Sequence, residues 1–519
     1  MSYTVKQSYP LFLGGKEVQG GAEPIAIENP ATGETIAQCH AASAEQVSEA
    51  VEVGERVFRS GIWSRRAPAD RAAVLSEIAR GFTARVKDLA VLETLQTGRP
   101  LREMTTQLGR LGEWFEYFAA IARTEEGSTQ PVRGNLLNFV QREPLGVVAL
   151  ISSFNHPLLI SIKKLAPALA AGNSVVLKPS ELAPLTVLEL GKICQAAGLP
   201  DGVLSILPGI GITTGAALVS HPLVKKVDLT GGTAAGRAIG SSVGRGLKSY
   251  TAELGGKAPI IVFKDVDLRL AVNGVAFASF IASGQTCVAG TRVIVEFSIF
   301  EEFLDALRDK CASIERRIGS PFSKDSMMGP LISARQLSIV EELVEDAKKQ
   351  GGIVACGGSR LSGKSNVDDS MLENGYFYPP TLITGAPGVP ATDLRIWREE
   401  AFGPVLVIVP FDDEQQAISL ANDSEYGLGA GIWTRNGAQA IRVASKLDAG
   451  IIWTNTHHRN DPSSPWGGYK SSGVGRENGH EAYHSYSQSK SVIMNYGTEE
   501  ESRELDDWFR EDDREVRYG

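Results

Sequence analysis

Cys287 lies in the run Ser283-Gly284-Gln285-Thr286-Cys287-Val288-Ala289-Gly290-Thr291-Arg292, directly after an apolar stretch, 272–281, that reads as a helix. A cysteine that only fills a core usually has Leu, Ile or Val on both sides. These small and hydroxylated neighbours instead keep the backbone tight and leave the sulfur open to a second molecule. The setting makes Cys287 a candidate nucleophile, with inert packing as the alternative. Asn155, in Ser152-Ser153-Phe154-Asn155-His156-Pro157, follows an apolar run at 147–151 and precedes a proline that opens a helix. Its amide is placed either to donate to an oxyanion or to cap that helix. Glu253, in Glu253-Leu254-Gly255-Gly256-Lys257, ends another such run. The two glycines give its carboxylate the freedom a general base needs; a solvated loop glutamate is the plainer reading.

Other strand ends suit a nucleotide. In Lys178-Pro179-Ser180-Glu181 a cation and a carboxylate three residues apart match ribose hydroxyls and phosphate charge, or form a surface ion pair. Gly209-Ile210-Gly211-Ile212-Thr213-Thr214-Gly215 is one residue longer than the dinucleotide fingerprint, so that motif does not apply directly. Thr230-Gly231-Gly232-Thr233 is a second glycine turn into a helix N-terminus, where backbone N–H groups favour pyrophosphate. Either turn also serves as a plain strand-to-helix link.

The elements that must position these residues follow from periodicity. Strands at 147–151, 175–178, 203–207, 226–229, 249–253 and 260–263 alternate with helices at 157–171, 185–197 and 233–243. That is the pattern of a doubly wound parallel sheet, which binds ligands at the carboxyl ends of its strands. After Cys287 the alternation resumes as a second α/β unit, with strands at 292–296, 405–410 and 429–433 and helices at 301–318, 333–350, 413–423 and 438–447. Ahead of the first sheet come a hairpin at 11–18, a turn cluster at 28–34, helices at 43–58, 67–85 and 87–97, and one amphipathic stretch at 102–121. An exposed strand at 135–142 is expected to pair with another at 487–496.

Composition bounds the rest. The chain has 519 residues, 43% hydrophobic and 22% charged, enough for two or three domains. Net charge is −9, and the tail 498–519 alone holds ten acidic against four basic side chains. Nothing electrostatic favours nucleic acid or an anionic membrane as partner. Cys39, Cys194, Cys287, Cys311 and Cys356 are far apart and odd in number, which argues against a disulfide framework and structural zinc. His457-His458, the one adjacent histidine pair, lacks a third ligand nearby, so no metal is expected. With no signal peptide and no apolar run near the roughly 20 residues of a membrane span, a soluble, cytoplasmic chain is expected.

Further motifs are Glu28-Asn29-Pro30-Ala31-Thr32-Gly33, Glu93-Thr94-Leu95-Gln96-Thr97-Gly98, Glu400-Ala401-Phe402-Gly403-Pro404-Val405 and Pro465-Trp466-Gly467-Gly468-Tyr469-Lys470-Ser471-Ser472-Gly473. With the Lys178, Glu253 and Cys287 motifs, in this order, the chain resembles the NAD(P)-dependent aldehyde dehydrogenase superfamily over roughly 12–496. The resemblance implies a Rossmann-like cofactor domain (1–127 and 145–256), an α/β catalytic domain (257–470) and a small β oligomerisation arm (128–144 and 487–496). It also implies that Cys287 attacks an aldehyde, Asn155 holds the oxyanion, and Glu253 activates water against the thioester. Lys178 and Glu181 would hold the adenosine ribose, with Ser180 as a further cofactor-binding residue, and Glu400 with Phe402 the nicotinamide ribose and ring. Gly211, Gly215, Thr230, Gly231, Gly232 and Leu254 complete the expected cofactor face. NAD is favoured because Glu181 accepts a ribose diol and repels a 2′-phosphate, with NADP open through Lys178. A homodimer or homotetramer and a small aldehyde substrate are the implied partners.

Three departures stand out. Phe154 replaces a usual tryptophan, Gly232 a usual serine, and Lys163 a tryptophan that lines the tunnel in many relatives. Lys163, with His156, His457 and Arg459 and with Thr286 beside the cysteine, suggests a polar or anionic substrate tail. The alternatives are a CoA-acylating dehydrogenase, disfavoured by Glu253, and a structural protein that has kept the fold without turnover.

Overall fold

The computed structural model describes residues 4–514 and 516. Its first sheet runs Gly473–Val474, Ser249–Glu253, Val224–Thr230, Val147–Ile151, Ser174–Lys178, Leu204–Ile206, Leu11–Leu13 and Lys16–Val18. The five strands from Ser249–Glu253 to Leu204–Ile206 are parallel. Chain order reverses between Val147–Ile151 and Val224–Thr230, so the sheet opens a crevice at the carboxyl ends of that pair. The strands are apolar because both faces are covered. Val148 and Leu150 pack into one helix layer, while Val147, Ala149 and Ile151 pack into the other.

The second sheet runs Ile353–Cys356, Thr381–Thr384, Val405–Phe411, Gly290–Glu296, Ala258–Val262, Gly429–Trp433 and Ile451–Thr454, with only the Ile353–Cys356 edge antiparallel. The strand expected at 260–263 as part of the first run lies here, between Gly290–Glu296 and Gly429–Trp433. Pairing with distant strands, not alternation along the chain, decides its sheet. The turn cluster at 28–34 joins two further strands, Ala22–Asn29 and Glu34–Ala41. The stretch at 102–121 is two helices, Leu101–Leu108 and Gly112–Thr124.

Ser487–Asn495 pairs antiparallel with Leu136–Pro144 over nine residue pairs, with Ser128–Gln130 on the far side. This three-stranded ribbon leaves Leu137, Ile493 and Met494 exposed. The acidic tail, too poor in apolar residues to pack independently, forms the helix Glu499–Leu505, capped by Thr498. It leans on the ribbon through Asn135 Nδ2 to Glu501 Oε2 (2.9 Å) and Asn495 Nδ2 to Ser502 Oγ (3.0 Å). Residues 515 and 517–519 of the tail lie outside the described residues. Among the described residues, no helix is long and apolar enough to cross a membrane.

Candidate active site

A cavity of about 630 Å³ opens where the first sheet meets the second, and Cys287, Glu253 and Asn155 all face it. The backbone before the cysteine is strained: Ala282, Ser283 and Gly284 take positive φ angles of 54°, 56° and 72° in succession. Only Gly284 does so without cost, and a Cβ there would meet the Gly403 carbonyl at 2.2 Å. Ser283 Oγ donates to Gly329 O (2.7 Å), and Ile332 N–H donates to Gln285 Oε1 (3.0 Å), which holds the loop in place. Gly256 brings the Glu253 segment close, since a Cβ would stand 2.1 Å from the Cys287 carbonyl oxygen.

Asn155 donates through Nδ2 to Gln285 O (2.9 Å), which ties the amide to the cysteine loop and leaves its second N–H unspent. Glu253 is 2% exposed, and neither carboxylate oxygen has a hydrogen-bond partner among the described residues. Burial, and then the charge of Glu477, raise its pKa well above the ordinary carboxylate value. Burial likewise pushes the Cys287 thiol up to about 12, with the carboxylates of Glu253 and Glu400 adding to the shift.

Thr230, Gly231, Gly232, Leu254, Glu400 and Phe402 line another wall of the same cavity. Glu400 accepts from Gly256 N–H (3.0 Å) through Oε1, and burial raises its pKa to about 7. Phe154 meets Phe402 edge-on, with centroids 5.7 Å apart. Thr230 Oγ1 is buried without a partner among the described residues, and a Cβ on Gly232 would meet nothing within 4 Å. Lys178, Ser180, Glu181, Gly211 and Gly215 are not among the residues lining this cavity. They belong to the neighbouring strand ends: Lys178 Nζ reaches Glu181 Oε2 (3.4 Å), and the lysine stem lies 3.5 Å from where a Gly215 Cβ would stand. Residues 211–215 form a single π-turn instead of a fingerprint loop.

Of the residues expected around an anionic substrate tail, His156, Lys163, Thr286 and Arg459 line the cavity and His457 does not. Lys163 does line the cavity, but its ammonium is 2.6 Å from Glu477 Oε2 and lies over the Trp466 ring at 4.5 Å, so its charge is already matched. His156 hydrogen-bonds with Arg99 and Gln107, and burial with the Arg99 charge lowers its pKa well below the ordinary imidazole value. His457 does not line the cavity; its ring bonds Val288 O (2.8 Å) and packs on Trp453, and it is His458 that faces inward. Thr286 and Arg459 do line it, the latter exposed. Much of the remaining wall is apolar: Trp114, Phe154, Leu159, Ile160, Phe277 and Trp466.

Glu477 and Arg99 had no local signal as site residues. Glu477 also accepts from Lys164 Nζ (2.6 Å), which pairs in turn with Asp228, and Tyr486 donates to the second Asp228 oxygen (2.5 Å). Burial alone would raise the Glu477 pKa, but Lys163 and Lys164 outweigh it and hold it at about 2. Its folded-state pKa is thus depressed, so its contribution is present above the unfolded carboxylate value of about 4.3 and lost as pH falls towards 2. Glu477→Ala strands the buried Lys163 ammonium and takes from Lys164 one of its two carboxylate partners, and is expected to cost about 3–5 kcal/mol, read as a lower midpoint in urea. A change below 1 kcal/mol would show the network to be dispensable.

A cysteine, an amide and a buried carboxylate thus face one cavity at the switch point of a doubly wound sheet. The sequence profile of the aldehyde dehydrogenase family matches residues 18–492, and the chain belongs to that family. Phenylacetaldehyde dehydrogenase of Pseudomonas fluorescens is 39% identical over 496 residues, covering 94% of this chain and 96% of that protein. Betaine aldehyde dehydrogenase of Staphylococcus aureus, solved in complex with NAD+, superposes with a TM-score of 0.91 at 36% identity over 97% of each chain. The NAD+ complex of aldehyde dehydrogenase from Bacillus cereus gives a TM-score of 0.90 at 37% identity, over 94% of this chain and 97% of that one.

Proposed function

We propose that this protein oxidises an aldehyde to its carboxylic acid with NAD+, through a thioester on Cys287 that Glu253 hydrolyses. The observation that carries this reading is the convergence of the Cys287 thiol, the free Asn155 N–H and the unpartnered Glu253 carboxylate in one cavity. The Cys287 thiol passes its proton to water in the cavity, and its sulfur bonds to the carbonyl carbon as the C=O π pair moves to the oxygen. The oxygen, now negative, accepts from Asn155 Nδ2–H and the Cys287 backbone N–H. Bound NAD+ supplies the hydride acceptor. Glu253, whose buried carboxylate holds a proton more tightly than an ordinary one, takes a proton from water once it is ionised. The resulting hydroxide attacks the thioester carbon, the C–S bond breaks and the acid leaves.

The residues present fit the dinucleotide. The partnerless Thr230 hydroxyl, the open Gly232 and the buried Lys178 give hydroxyl, backbone and cationic contacts, while Glu400 and Phe402 face the reacting end. Glu181 supports NAD over NADP. Residues 1–127 and 145–256 serve as the cofactor domain and 257–470 as the catalytic domain. The ribbon at 128–144 and 487–496, with its exposed Leu137, Ile493 and Met494, joins chains into a dimer or tetramer.

For the substrate, the aromatic wall and the matched charge of Lys163 support an apolar, aryl-bearing aldehyde over a carboxylated one. Phenylacetaldehyde is expected to show at least about tenfold higher kcat/KM than succinic semialdehyde, consistent with burial of roughly 25 cal/mol per Å² of apolar surface. The opposite ranking would overturn this choice. Asn155→Ala is expected to lower kcat by about 100- to 1,000-fold with little change in KM, the size of one lost oxyanion donor. A product assay with and without CoA should yield free acid in both cases; CoA-dependent turnover would instead indicate an acylating enzyme.

A further inference from the structure

We propose that Glu125, His480 and His484 bind a divalent transition-metal cation of the zinc class at the root of the three-stranded ribbon. One carboxylate oxygen and one nitrogen from each imidazole lie within 4.8 Å of one another, and no other cluster of this kind occurs among the described residues. The histidines are four apart on the helix Gly479–Ser485, so both rings project from one face. Their centroids are 6.2 Å apart. Glu125 follows the helix Gly112–Thr124, and its Oε1 is 2.8 Å from His484 Nε2. A metal there takes the place of the shared proton.

Tetrahedral zinc, with ligands at 2.0–2.2 Å, sets its donors about 3.4 Å apart. Two of the three are already that close, and the third needs only a rotation of the His480 ring. That ring is exposed and makes no hydrogen bond or ion pair among the described residues, so nothing opposes the turn. His484 is held from behind by Arg142, which donates to its carbonyl oxygen (2.9 Å). Two imidazoles and one carboxylate suit zinc, cobalt or nickel, whereas magnesium and calcium prefer all-oxygen sets. Water fills the fourth position.

Position gives the site its consequence. Glu125 stands just before Ser128–Gln130, and His484 just before Ser487–Asn495. A bound ion therefore ties together the roots of the two outer strands of the ribbon.

The test is a titration of chelator-treated full-length protein with Co2+, alongside His480→Ala. One equivalent is expected to bind with visible bands of nitrogen and oxygen coordination and no thiolate charge-transfer band. Zn2+ should displace it, Mg2+ should not, and His480→Ala should bind at least tenfold more weakly while keeping its dehydrogenase activity. Zn2+ should also raise the Tm of the wild type and not that of the variant. Equal binding by both proteins, a thiolate band, or displacement by Mg2+ would overturn the proposal.

Discussion

Cys287→Ala is expected to lower aldehyde-dependent NADH formation by at least about 10,000-fold, because among the described residues no second thiol lines the cavity to form the covalent adduct. Asn155 and the aromatic wall would still bind aldehyde, but an aldehyde without the sulfur has no tetrahedral carbon from which hydride can leave. NAD+ affinity should stay within about twofold, since the expected cofactor contacts lie on other strand ends. The fold should survive, because the loop is held by Ser283 and Gln285 through bonds the substitution leaves in place. Dehydrogenase assays, with NAD+ binding measured by quenching of tryptophan fluorescence, separate these outcomes. Retained turnover would place the chemistry elsewhere.

Glu253→Gln is expected to split the reaction in two. Hydride transfer should still give a burst near one NADH per active site. Steady turnover should then fall by about 100- to 10,000-fold, as the thioester waits for unassisted water. The wild-type rate should rise with pH as Glu253 ionises, since burial and Glu477 raise its pKa and a higher pH is needed to charge it than for an ordinary carboxylate. The glutamine variant should lose that rising limb in its hydrolytic step. Stopped-flow traces across pH check both. A rate-limiting step unaffected by Glu253→Gln would remove it from the role of base.

Much of this site was legible because each chemical residue terminates a short apolar run. Asn155 follows Val147–Ile151, Glu253 closes Ser249–Glu253, and the Thr230 turn closes Val224–Thr230. A strand buried on both faces leaves a strong local pattern, and its carboxyl end is a predictable place. What local pattern cannot carry is the partner of a charge. Lys163 looked free because Glu477 lies far along the chain, in a loop between Gly473–Val474 and Gly479–Ser485. Their pairing turns an apparent anion-binding lysine into part of a neutralised wall. His457 and His458 were indistinguishable in sequence; a positive φ of 57° at His458 marks the backbone turn that separates the buried ring from the one facing the cavity. The four-residue strands Ile353–Cys356, Thr381–Thr384 and Ile451–Thr454 were missed because they are too short to show alternation, and only pairing with distant neighbours defines them. The Glu125 and His484 pair, 359 residues apart, is the same lesson on the surface.

The central claim is a covalent acyl-enzyme on Cys287, and intact-mass and peptide-level mass spectrometry of Glu253→Gln tests it most directly. After mixing with NAD+ and phenylacetaldehyde and quenching in acid within a second, the protein should carry one added phenylacetyl group, located on the peptide containing Cys287. An unmodified Cys287 peptide under conditions where NADH has been released would contradict the account.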